Sequence, residues 1–168
     1  MPDLSPFHVW FVFAHILGVF LFLLAHGVSV WVLFRLQSER NPVIMRALLD
    51  LSNRSMTMLL IGFLVWLIAG ILAGFSGDFW TTGRYWIWAS LVVALALVVI
   101  MTPLGRMYLD RVRIAVGMDK KTGVVDPDFV VDGGAVDAAV ASGRPMLLAV
   151  IGLGGVAVLS YLMMFKPF

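Results

Sequence analysis

The stretch Phe7 to Phe34, FHVWFVFAHILGVFLFLLAHGVSVWVLF, holds no Asp, Glu, Lys or Arg. A membrane-crossing helix needs about 20 consecutive apolar residues at about 1.5 Å rise each, and this run exceeds that. It is continuously apolar rather than alternating, so it reads as a helix and not as a barrel strand. Three further runs have the same character, roughly 56–75, 85–103 and 145–165. The chain is 61% hydrophobic and 13% charged, where a soluble domain is near half apolar and a quarter charged. The expectation is therefore an all-α integral membrane four-helix bundle, with 1–168 forming a single membrane domain.

The joints follow turn chemistry. Asn41-Pro42 reads as an N-cap followed by proline at the first helical position. Val43, Ile44, Ala47, Leu48 and Leu51 then continue one face, so 42–53 reads as an extension of the second helix. Residues 76–83 read as a short loop. After Pro103, arginines alternate with Leu109, Val112 and Ala115, the pattern of a helix leaving the membrane within a cytoplasmic connection, 104–144. Two helical turns are expected over 135–141. The start of the chain carries Asp3 and no basic residue, so the first run reads as a retained helix rather than a cleaved signal.

Charge placement orients the chain. Ten of the twelve Lys and Arg residues fall in the first and third connections; only Arg84 and Lys166 fall on the other side. Basic connections stay in the cytoplasm, so both termini are expected outside, in a bacterial inner membrane. Phe79, Trp80, Tyr85, Trp86 and Trp88 fit an outer aromatic belt. The basic connections are explained by topology and do not indicate nucleic acid. There is no cysteine, which excludes disulfides, thiolate metal sites and cysteine nucleophiles. No phosphate loop, dinucleotide fingerprint, nucleophile elbow or zinc-protease motif is present, so a self-sufficient enzyme is the least supported reading. Asp126, Asp128, Asp132 and Asp137 lack the alternation of a calcium loop and read as a solvated acidic stretch.

Chemistry points to the first helix. His8, His15 and His26 are spaced by seven and eleven residues, which brings all three onto one face, with Gly18 and Ser29 on the same stripe. His15 lies about 10 Å deeper than His8, and His26 about 16 Å beyond His15. Ionisable residues at such depths are costly and are candidates for function. The leading expectation is haem b held by His15 and His26, with Gly18 admitting a flat macrocycle, in a protein that passes electrons. No other span supplies a histidine. The second axial ligand would then come from a homodimer mate or from a methionine; Met56, Met58, Met101 and Met146 lie near inner helix ends. Copper held by His8, His15 or His26 with methionines is the alternative metal reading. A neutral histidine also serves as a hydrogen-bonding pin between helices. That use gives the runner-up reading, ahead of copper: a cofactor-free accessory or structural subunit of a larger membrane complex. Gly70-x-x-x-Gly74 and the cluster Gly152, Gly154 and Gly155 permit close helix contact.

Two short stretches carry a resemblance. His15-Ile16-Leu17-Gly18, and Tyr161-Leu162-Met163-Met164-Phe165-Lys166-Pro167, together with four spans, resemble an uncharacterised bacterial family of integral membrane proteins, similar in layout to copper-resistance D-like proteins. The resemblance implies a four-helix bundle with a histidine in its first helix, and no particular activity. The Trp-Val-Gly-Gly pattern of the copper-resistance relatives is replaced after Gly18 by Val19-Phe20-Leu21-Phe22.

Overall fold

The structure is a computed structural model that describes residues 4–80 and 84–168. The reading of Asp3 and the end of the second loop at Gly83 lie outside the described residues. After a short 3-10 turn at Ser5–Phe7 come α1 (His8–Ser38), α2 (Pro42–Ser76), α3 (Tyr85–Ala115), α4 (Gly133–Val140) and α5 (Arg144–Phe165). The protein is all-α, and among the described residues four helices are long and apolar enough to cross a membrane. Trp10, Phe13, Leu17, Phe20, Leu24 and Trp31 run along one side of α1 and are exposed. Such a face is stable against hydrocarbon and costly against water.

Local chemistry sets the helix ends. The Asn41 side-chain oxygen accepts from the Val43 N–H at 2.9 Å, and Pro42 opens α2. Pro103 sits inside α3 and removes one ladder donor, yet the helix continues twelve residues past it to Ala115. α3 stops where Gly117 adopts φ of 73° and the Met118 N–H returns to the Arg113 carbonyl at 2.8 Å. The acidic stretch beyond it forms turns and caps. Asp119 accepts from the Lys121 and Thr122 N–H groups, and Asp132 caps α4 through the Gly134 N–H.

The helices are organised as two antiparallel pairs. α1 and α2 pack along most of their length, and α3 packs with α5; contact between the two pairs is far sparser. Short connections favour such neighbours, and α1 and α2 are joined by three residues, 39–41. The best-packed core lies at the end of the bundle that carries the basic connections, hereafter the basic end. There Val32 and Leu36 of α1, Met45 and Leu49 of α2, Tyr108 and Val112 of α3, and Val136 of α4 are almost wholly buried. Gln37 donates to the Ser142 carbonyl at 2.9 Å, Arg46 donates to the Val116 carbonyl at 2.8 Å, and Arg40 pairs with Asp137 at 2.6 Å. At the other end, Phe79 and Trp86 meet at 5.7 Å, and the Lys166 ammonium lies 5.1 Å from the Phe79 ring.

Candidate functional site

Each histidine of α1 meets a different neighbour. His8 Nδ1 lies 2.8 Å from the Ser76 hydroxyl, near the end of α2, and its ring stands edge-on to Phe79. The His15 Nδ1–H donates to the Trp66 carbonyl at 2.8 Å. That bond fixes the tautomer and leaves Nε2 as the ring's acceptor. The His15 ring lies over Gly70; a Cβ there would stand 2.6 Å from Nδ1. His26 is different. It has no hydrogen bond among the described residues, stacks parallel to Phe22 at 5.6 Å, and turns Nε2 toward Gly152 of α5. The Met101 Cε of α3 converges on the same glycine: a Cβ at Gly152 would meet His26 Nε2 at 3.0 Å and Met101 Cε at 3.1 Å.

The single face expected from spacing is real within α1, but it does not form a single site. Its upper part, His8 and His15, is covered by α2, while His26 reaches the α3–α5 pair. Rings nevertheless join the two deeper histidines. Centroids run from His15 to Trp66 at 6.3 Å, from Trp66 to Phe22 at 5.7 Å, and from Phe22 to His26 at 5.6 Å. Among the described residues, no three His, Asp or Glu side chains gather as a metal cluster.

Gly18 lies where α2 crosses α1. A Cβ on it would stand 2.4 Å from the Trp66 backbone nitrogen, and one on Gly62 would stand 2.6 Å from the Phe22 nitrogen. The two glycines therefore let the α1 and α2 backbones touch, and the space above Gly18 belongs to α2. Ser29 and Ser55 continue the interface with a hydroxyl pair at 3.1 Å. Sequence reasoning placed Gly18 and Ser29 on the stripe and named Gly152 as a glycine permitting close helix contact, but missed Trp66 and Gly62. A lone glycine or tryptophan inside an apolar run carries no signal of which helix will cross it.

Haem b can be tested against this geometry. Iron on His26 Nε2 would bring the macrocycle into the space that the α5 backbone holds at Gly152, and Gly18 offers no flat opening. The His26 surroundings do not fit haem. A bare ion needs no such clearance. No protein family, curated protein or solved structure matches this chain.

Proposed function

We propose that this chain is a cofactor-free accessory subunit of a membrane assembly, in which the histidines of α1 serve as polar pins between helices. The observation that supports this reading is the engagement of His8 and His15 by α2 of the same chain, at 2.8 Å each. A neutral imidazole hydrogen-bonded across a helix interface satisfies a polar group that hydrocarbon would otherwise leave unpaired. It also fixes the register of two helices whose backbones touch at Gly18 and Gly62. The exposed aromatic side of α1, from Trp10 to Trp31, supplies a face for lipid or for a partner's helix. In this reading the basic end lies in the cytoplasm and both termini lie outside, in a bacterial inner membrane, as ten of twelve basic residues imply.

The test is native mass spectrometry and absorption spectroscopy of the protein extracted in mild detergent. The expected result is a colourless chain at its apo mass, released from a larger assembly or a homodimer. A Soret band with stoichiometric haem, or a monomer across a concentration series, overturns the reading.

A second reading, copper handling, is favoured by one observation. Of the three histidines, His26 is the one without a hydrogen-bond partner among the described residues, and its Nε2 converges with the end of Met101 on Gly152. Imidazole and thioether together suit monovalent copper. Its test is copper per chain for the wild type and for His26→Ala, loaded under reducing conditions. Equal and negligible content in both removes the copper reading.

A further inference from the structure

The end of the bundle opposite the basic one closes on a single ring. Phe79, in the connection between the two helical pairs, meets the ring of His8 from α1 edge-on at 5.9 Å and the ring of Trp86 from α3 at 5.7 Å. The Arg84 guanidinium lies 5.2 Å from the Phe79 centroid, and the Lys166 ammonium lies 5.1 Å from it. Lys166 also lies 5.3 Å from the Trp86 ring. One phenyl ring thus gathers a histidine from the first pair and two cations from the second.

Backbone strain marks the same place. Among the described residues, two non-glycine residues have left-handed backbone: Asp78 at φ of 54° and Lys166 at φ of 47°. Asp78 directly precedes Phe79, and Lys166 brings its ammonium onto the Phe79 ring. Such conformations are costly for a residue with a Cβ and persist where the surroundings hold them.

The hydrogen bonds decide which atom of His8 is open to a proton. The Ser76 hydroxyl donates to the Ala73 carbonyl at 3.2 Å, so it accepts from the His8 Nδ1–H at 2.8 Å. Nε2 is then the basic nitrogen. Protonation there leaves the bond to Ser76 in place and adds a full charge beside Phe79. From the surrounding elements, the Asp78 carbonyl accepts from Arg84 at 2.6 Å, and the Phe168 oxygen accepts from the Trp86 N–H at 3.3 Å. Asp78 also brings the acidic side chain of this end among the described residues. One carboxylate offsets one cation, not three. The ring face holds cations, but Phe79 already carries two. A third positive charge beside it repels both, so acid favours the arrangement in which they stand apart. Contact between the two helical pairs is sparse, so little else opposes that separation.

We propose that His8, Arg84 and Lys166 around Phe79 form an acid-sensitive latch, which holds the two helical pairs together at neutral pH and releases them at this end when His8 takes a proton. It rests on the reading of His8 as a neutral pin between α1 and α2; with both termini outside, it responds to the pH of the outer compartment. The chain has no cysteine, so spin labels on Val9→Cys of α1 and Met164→Cys of α5, both exposed positions near this end, report the separation by double electron–electron resonance. Along a pH series on the full-length protein in nanodiscs, the label distance is expected to pass from a short to a longer population, with a single-proton midpoint between about pH 5 and 8. His8→Gln keeps an N–H for Ser76 and cannot take the charge, so it is expected to hold the short distance throughout. Lys166→Gln keeps His8 and removes one repelling charge, so the acid change is expected to shrink. One distance at every pH in the wild type overturns the proposal, as does a full acid change in His8→Gln or in Lys166→Gln. Those results leave the pin reading standing, because it is decided by the mass and absorbance of the extracted protein.

Discussion

At the scale of single residues, the glycines of α1 separate two kinds of position that look alike in sequence. Gly18 is buried, and any side chain there meets the α2 backbone at 2.4 Å; Gly27 is exposed, with nothing within 4 Å of its added Cβ. Gly18→Ala is expected to cost about 1–3 kcal/mol through overpacking against a backbone that cannot yield. Gly27→Ala is expected to be neutral or to gain up to about 1 kcal/mol from helix propensity. Reversible unfolding in mixed micelles measures both; equal effects would refute the assigned crossing. Glu39 offers a pH prediction. Its carboxylate accepts from the Asn41 and Arg40 N–H groups and pairs with Arg35, which holds it below its ordinary value of 4.5. Because the folded value is the lower one, the stabilisation is complete above the ordinary value and is lost as the pH falls through the folded value. The acid limb of the melting profile should therefore flatten in Glu39→Gln. The sequence made the histidine stripe legible, because periodicity is local. Their partners were not legible: the Trp66 carbonyl and the Gly152 notch depend on which helices cross, and that is decided 51 and 126 residues away along the chain.

Among the elements, the helix that departs furthest from its hydrophobic run is α2, which begins at Pro42, fourteen residues before the apolar stretch at 56–75. That extension was readable, since Asn41-Pro42 is a start signal and Val43 to Leu51 keep a helical period. Asn41→Ala removes the oxygen that holds the Val43 N–H and is expected to cost about 1 kcal/mol, with fraying confined to the first turn of α2. Amide exchange at residues 42–46 checks this; unchanged exchange there would refute the cap. What hydropathy did not disclose was the pairing of α3 with α5, or that the tightest packing would gather beyond the apolar runs rather than inside them. Greasy stretches measure preference for hydrocarbon. They say little about which helices will touch, because lipid tails are as apolar as a neighbouring Leu.

For the whole molecule, the distribution of basic residues predicts its orientation. A cysteine at Asp128, which lies in the connection between α3 and α4, should react with impermeant reagents only after the inner face is opened. Labelling from the outside in intact cells would reverse the orientation. The strong pairing within α1–α2 and within α3–α5, against sparse contact between the pairs, bears on how the chain is made. On the ribosome α1 and α2 emerge first, and their whole shared interface, from His8 against Ser76 to Ser29 against Ser55, is complete before α3 is synthesised. The insertion machinery would then release one finished hairpin into the lipid and receive a second. The two would then meet at their Arg-rich ends, at the point where His26 reaches Gly152, and where Phe79 meets Trp86. Fragments 1–80 and 81–168 produced separately in the same cell should accordingly each insert and then co-purify. The first helical hairpin is in that sense a protein within the protein, able to wait in the bilayer for the half that latches onto it.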